Sequence, residues 1–162
     1  MVWKPDVTVA AIVERDGQFL LVEERIRDRL VFNQPAGHLE DGESLLQAVV
    51  REVLEESAWR FTPAALIGAY LWRSSRGQTT LRFAFTGSVS DFDAARRLDA
   101  PVLATHWLAR PDIEHLGTRL RTPLVLRCID DYLSGRRLPL EALSLQRAAA
   151  RGDAIVSIPL KP

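Results

Sequence analysis

The sequence predicts an α/β domain in which helices pack on the faces of a mixed β-sheet. Three observations carry that reading. Two pairs of β-rich apolar runs, Val7 to Val13 with Phe19 to Val22 and Ala65 to Arg73 with Thr79 to Thr86, are each split by turn residues. Between the pairs lies an amphipathic helix pattern that begins near Leu45. A second helix signal follows a last apolar run near Leu103 to Leu108.

In chain order, Asp16-Gly17 is a hairpin turn signal between the first two runs. The charged stretch Glu23 to Arg29 reads as a loop, and a short extended segment then ends at Pro35. Ser44 and Gln47 form a capping box, which starts the central helix at about Leu45. Leu46, Val49, Val50 and Val53 recur at helical spacing as its buried stripe, with Leu54 at the margin. Ser74-Ser75-Arg76-Gly77 turns the second strand pair, and a polar segment from Ser90 to Ala100 leads to the last strand. Thr122-Pro123 marks a helix start, with Thr as cap and Pro at the first helical position. That helix runs through Tyr132 and ends at Gly135. In the tail, Gln146 to Arg151 reads as a short helix and Ala154 to Leu160 as an extended segment.

A chain of 162 residues, 47% of them hydrophobic, suits one domain with a single core. We place the domain at 1–141 and treat 142–162 as a divergent tail of it. The zero net charge gives no argument for a nucleic-acid or membrane partner, and a neutral surface fits either a monomer or a homodimer. The lone cysteine, Cys128, excludes an internal disulfide and sits in a helix pattern at an apolar position. The N-terminus lacks the basic and apolar regions of a signal peptide, so the cytoplasm is the expected location.

The chemistry concentrates between Gly37 and Trp59. Glu52, Glu55 and Glu56 stand at i, i+3 and i+4, so their side chains emerge together on one face of the central helix. Like charges so placed repel one another. Read alone, the cluster is either a solvated acidic face or a site for a hard divalent cation, which takes carboxylate oxygens together with waters and substrate phosphates. Glu43, two turns before Arg51, is placed to tie the preceding loop to the helix by a salt bridge.

The whole stretch resembles the signature of the Nudix hydrolases. Gly37, five residues, Glu43, seven residues, Arg51-Glu52, the aliphatic Val53, and then Glu55-Glu56 fall in register, and Trp59 fills the last apolar place. Ala58 departs from the pattern, because the family has glycine there, at a helix end where a left-handed backbone is common. A Cβ in that conformation costs about 1 kcal/mol. Asn33-Gln34-Pro35-Ala36-Gly37-His38-Leu39-Glu40, Trp72, Leu81-Arg82-Phe83, Trp107, Arg121-Thr122-Pro123-Leu124-Val125, Arg127-Cys128, Tyr132, Ser134-Gly135 and Pro139-Leu140-Glu141 are similar to the NudJ-type phosphatases within that superfamily. The likeness spans residues 3 to 141 and stops before the tail.

The resemblance implies an α/β/α sandwich and a Mg²⁺-dependent hydrolase, with Mn²⁺ as the alternative ion. The reaction it implies is cleavage of phosphoanhydride bonds in nucleoside di- and triphosphates and in the pyrophosphates of thiamine and its hydroxymethylpyrimidine precursor. Two other readings stay open: a pyrophosphatase acting on ADP-ribose or another nucleoside diphosphate derivative, and a Nudix module that binds nucleotide without cleaving it. Ser74 stands where ADP-ribose-type members carry a proline, and Ser75, Arg76 and Gly77 stand where dinucleoside-polyphosphate types carry a tyrosine. Both departures favour a small substrate.

By the same resemblance, the metal ligands are Glu52, Glu55, Glu56 and the Gly37 carbonyl, with Arg51 and Glu43 completing the catalytic set. The base is Glu55 or Glu56, and Asp99 is a candidate from a later loop. Arg25, Arg27 and Arg29 are candidates to pair with phosphate oxygens. Trp72 and Phe32 are candidates to stack on a ring, each with a core role as the alternative. His38, beside the loop glycine, reads as a turn residue. His106 and His115 have no partners at metal-ligand spacing and receive no role.

Overall fold

A computed structural model describes residues 3–147 and 156–158. The chain runs β1 (Asp6–Ile12), β2 (Glu14–Arg15), β3 (Gln18–Ile26), β4 (Arg29–Asn33), β5 (Ala36–His38), α1 (Leu45–Ser57), β6 (Arg60–Arg73), β7 (Thr79–Ser90), β8 (Val102–Ala109), α2 (Arg110–His115), α3 (Leu124–Leu133), β9 (Leu145–Arg147) and β10 (Val156–Ile158). One four-stranded sheet has the order β5-β1-β7-β6; β1 and β7 are parallel and the other pairs antiparallel. A second, antiparallel sheet is built on β3, which pairs with β2, β4 and β8.

Strand alternation gives the first sheet two apolar faces. Val9, Ala11 and Val13 pack with Leu46, Val49 and Val53 of α1, while Ile12, Ala84 and Ile67 pack with Val125, Cys128 and Ile129 of α3. This is the expected mixed sheet with helices on its faces. Burial pushes the Cys128 thiol up to about 11, so it is an unreactive core residue. Among the described residues, no helix is long and apolar enough to cross a membrane.

The central helix follows its sequence signals. Ser44 Oγ accepts from the Gln47 N–H and the Gln47 side chain accepts from the Ser44 N–H, the two bonds of a capping box. Ala58 ends the helix with φ 59°, so this chain keeps the left-handed turn without glycine. Its methyl is buried, and that contact offsets part of the backbone cost.

Four local expectations need correction. Glu23 to Arg29 is not a loop: β3 continues through Ile26 and turns at Arg27-Asp28 directly into β4. The charges concealed a strand because Glu24, buried there, is paired with Arg121. Asp16-Gly17 does form a tight turn, with φ 52° and 78°, but it joins β2 to β3, and the two apolar runs beside it lie in different sheets. Thr122 does not cap α3 through its side chain; Pro123 is the N-cap, and the Thr122 carbonyl accepts from the Val125 N–H at 3.2 Å. In the tail, Gln146 and Arg147 belong to a strand that pairs with β10 rather than to a helix, a short helix being marginal against a strand with a partner. Residues 148–151 of that stretch lie outside the described residues, as do 154, 155, 159 and 160 of the extended one; Val156–Ile158 is extended as expected.

Candidate active site

Two strands and one helix build the site. β5 runs antiparallel to β1 with Gly37 opposite Val9, and α1 lies across β5. A Cβ on Gly37 would collide with the Glu52 carboxylate, so the missing side chain is what lets that carboxylate rest on the loop backbone. One turn later, Glu56 Oε2 accepts the Ala36 N–H at 2.8 Å. The loop and the helix thus place two carboxylates against the backbone at Ala36 and Gly37.

Arg51 holds the outer edge. Its Nε and Nη2 donate to the two oxygens of Glu43 at 3.0 and 2.7 Å, and Nη2 also donates to the His38 carbonyl at 3.0 Å. Its Nη1 donates to Glu52 Oε1 at 2.7 Å and to Glu55 Oε2 at 3.0 Å. Glu43 in turn accepts the Glu40 N–H at 2.8 Å. The predicted Glu43–Arg51 tie is therefore a bidentate pair, and its hydrogen bonds hold Glu43 below the usual carboxylate range.

Glu52 and Glu56 are only 9% and 8% exposed. Burial raises the proton affinity of both, and each carboxylate has an acidic neighbour that raises it further. Glu56 is pushed up to about 8, by burial first and then by Glu24 and Glu52. The acidic face is thus not a solvated one.

These two glutamates open into a cleft of about 990 Å³ between the two sheets. The first sheet contributes Thr8, Trp72 and Arg82, the second Glu24 and Asn33, and Arg27, Arg29 and Arg76 stand at the exposed rim. His38 also lines the cleft. Among the described residues, no three acidic, imidazole or thiol side chains gather at a spacing that would hold an ion without other ligands. Two carboxylates with hard oxygens still fit Mg²⁺, which commonly uses one or two carboxylates and fills its remaining positions with waters and substrate phosphates. Their raised proton affinities suit the same ion, because a cation relieves the cost of ionising both.

The sequence candidates divide accordingly. Gly37, Glu52, Glu56, Arg27, Arg29 and Trp72 come together around the cleft. Glu55 does not line it; its carboxylate is ion-paired with Arg51. Arg25 points away, since Glu24 and Ile26 on either side of it are the β3 residues that face in. Phe32 is a core residue, buried beside the His106 ring and beneath the Arg119 guanidinium. Asp99 is exposed, outside the cleft lining, and touches the site only through its N–H to the Glu55 carbonyl at 3.0 Å. His106 pairs with Glu23 at 2.9 Å, away from the cleft. Sequence reasoning missed Glu24, Asn33 and Arg121 as cleft residues, and gave Arg82 no role. The available signal was an arginine inside the apolar run Leu81-Arg82-Phe83.

Comparison with known proteins agrees with this geometry. Residues 3–126 match the model of the NUDIX domain family. The phosphatase NudJ of Escherichia coli is 37% identical over 141 residues, which cover 87% of this chain and 92% of that protein. A NUDIX hydrolase structure from Nitrosomonas europaea superimposes with a TM-score of 0.85 at 49% identity, covering 86% of this chain and 96% of that one. The ORF135 protein of Escherichia coli superimposes with a TM-score of 0.64 at 27% identity, covering 82% and 91%. The α/β fold, the carboxylate pair beside Gly37 and these similarities agree: the chain belongs to the NUDIX domain family and is a Nudix hydrolase, an enzyme of the pyrophosphohydrolase class similar to the NudJ phosphatases.

Proposed function

We propose that the enzyme hydrolyses phosphoanhydride bonds of nucleoside di- and triphosphates and of small pyrophosphates, including those of thiamine and hydroxymethylpyrimidine, with Mg²⁺ as its cofactor. The observation that carries this reading is the pair Glu52 and Glu56, buried beside Gly37 in a cleft whose rim holds Arg27, Arg29 and Arg76. Buried carboxylates and guanidinium groups at the rim match a cation–polyphosphate ligand. The likeness to a phosphatase of the NudJ kind supports the substrate class.

Glu52 and Glu56 would hold the cation, with the Gly37 carbonyl as a further oxygen. A bound divalent cation neutralises phosphate charge and makes the attacking water more acidic. Glu56 would also accept the proton of the attacking water. The Ala36 N–H anchors one of its oxygens and leaves the other for the cleft. Arg51 positions Glu52 and Glu55 rather than touching the reacting atoms. The rim arginines orient the phosphates, and Trp72 offers a face for a ring. The substrate is a small soluble molecule, and the cytoplasm is the matching location.

The test is incubation of purified protein with Mg²⁺ and a panel of nucleoside di- and triphosphates, thiamine pyrophosphate and ADP-ribose, with products resolved as phosphate or pyrophosphate. Release from the nucleotides or thiamine pyrophosphate is the expected result. Cleavage of ADP-ribose alone overturns the substrate class, and no cleavage anywhere points to a binding module.

A further inference from the structure

Six buried side-chain atoms among the described residues have no hydrogen-bond partner, and five of them belong to residues that line this one cleft. They are Thr8 Oγ1, Glu24 Oε2, Asn33 Oδ1, Arg82 Nε and Thr122 Oγ1. Buried polar groups are nearly always paired, so a concentration of exceptions in one place calls for a ligand. Glu24, Asn33 and Arg82 are 3%, 3% and 5% exposed.

Arg82 is the sharpest case. A guanidinium carries five N–H donors, yet this one makes a single long contact, 3.4 Å to Gln34 Oε1, and no ion pair. Gln34 cannot turn to serve it better, because its own amide donates to the Val125 carbonyl at 2.7 Å. Across the cleft, one oxygen of Glu24 is engaged by Arg121 at 2.9 Å and the other is free.

The polarity of these groups selects the partner. A phosphate only accepts hydrogen bonds and is repelled by the Glu24 carboxylate, and a metal ion is repelled by Arg82. A nitrogen heterocycle, with donors and acceptors along one edge and little net charge, satisfies Glu24, Asn33 and Arg82 together. Trp72 adds the matching face: it pairs with Thr80, which lies two residues from Arg82 and therefore on the same side of β7.

We propose that Arg82, Glu24 and Asn33 are specificity-determining residues that read the hydrogen-bonding edge of the substrate's ring, while the phosphates lie toward Glu52 and Glu56. The inference rests on the proposed function, since it takes the cleft to be the substrate site. It adds that the enzyme selects heterocyclic pyrophosphates over bare or alkyl ones, and it names the residues responsible.

The test uses Glu24→Gln and Asn33→Leu, both close in size to the native side chain. Two quantities are compared with wild type: kcat/KM for nucleoside triphosphates, and the inhibition constant of inorganic tripolyphosphate, which has the phosphate chain and no ring. Each variant should lower kcat/KM on the order of tenfold or more, the effect of one lost hydrogen bond to a buried polar group, and leave the tripolyphosphate constant within about twofold. Equal losses on both ligands overturn the proposal, because they mark a role in folding or phosphate binding. No loss on either also overturns it, because the floor is then served by water. A wild-type enzyme inert toward every nucleotide sinks the proposed function itself, whereas an active wild type with unselective variants sinks only this inference.

Discussion

Replacing Glu56 with glutamine should stabilise the metal-free protein at alkaline pH and abolish turnover. Glutamine keeps the acceptor for the Ala36 N–H and removes the ionisation that burial opposes. In the folded chain the Glu56 carboxyl holds its proton up to about 8, against an ordinary value of 4.5. Between those limits the native state retains a proton that the unfolded chain has lost. Stability therefore falls as pH rises through this window and levels off above it. The full gap corresponds to roughly 4–5 kcal/mol, or about 10–15 °C in Tm for a domain of this size. The assay is thermal unfolding of wild type and Glu56→Gln in a chelator from pH 4.5 to 9. The two curves should nearly coincide at the acid end and diverge steadily toward pH 8, with the variant the more stable. Turnover with Mg²⁺ should drop by about 10²–10⁴-fold, the usual contribution of a general base. Parallel melting curves over the whole range would mean that Glu56 carries no ionisation cost in the folded protein.

Three further outcomes follow from the same site. At pH 8, Mg²⁺ at about 100 times its dissociation constant should stabilise the wild type by about 2.7 kcal/mol, with a much smaller effect on Glu56→Gln; equal effects on both, measured by melting, place the ion elsewhere. Gly37→Ala should fold normally and lose most of its activity, since the added methyl displaces the Glu52 carboxylate; full kcat in that variant contradicts the packing of Glu52 on the loop. Ala58→Gly should be nearly neutral, because relief of about 1 kcal/mol of left-handed strain is offset by loss of a buried methyl worth about 0.8 kcal/mol. A rise in Tm above about 4 °C would show that the methyl contributes no packing.

The helix and its flanking loop were legible in the sequence because their signals are local. A capping box, an apolar stripe and the Glu43–Arg51 spacing each act within a few turns of chain, and each appears in the structure. The cleft's far wall was not legible for the opposite reason. Glu24 reads as one more charge in a polar run until Arg121, remote in sequence, is seen to pair with it. Phe32 and Trp72 are both aromatic residues in strands, and nothing nearby in the sequence reveals that one is a core residue while the other, packed at the edge of the same core, also lines the cleft. Arg25 and Arg29 differ in the same way. Strand parity separates the inward Glu24 and Ile26 from the outward Arg25, and a run of charges with no apolar alternation does not display that parity. Glu55 shares a face with Glu52 and Glu56 as the spacing requires, but the Arg51 Nη1 contact that it shares with Glu52 is not written in that spacing.

Cation-dependent hydrolysis is tested most simply by phosphorus NMR of a nucleoside triphosphate incubated with the purified enzyme, first in Mg²⁺ and then in excess chelator. Steady release of phosphate or pyrophosphate is expected with Mg²⁺, and none once the ion is removed. Undiminished release in chelator, or no release in either condition, would contradict a cation-dependent phosphoanhydride hydrolase built on Glu52 and Glu56.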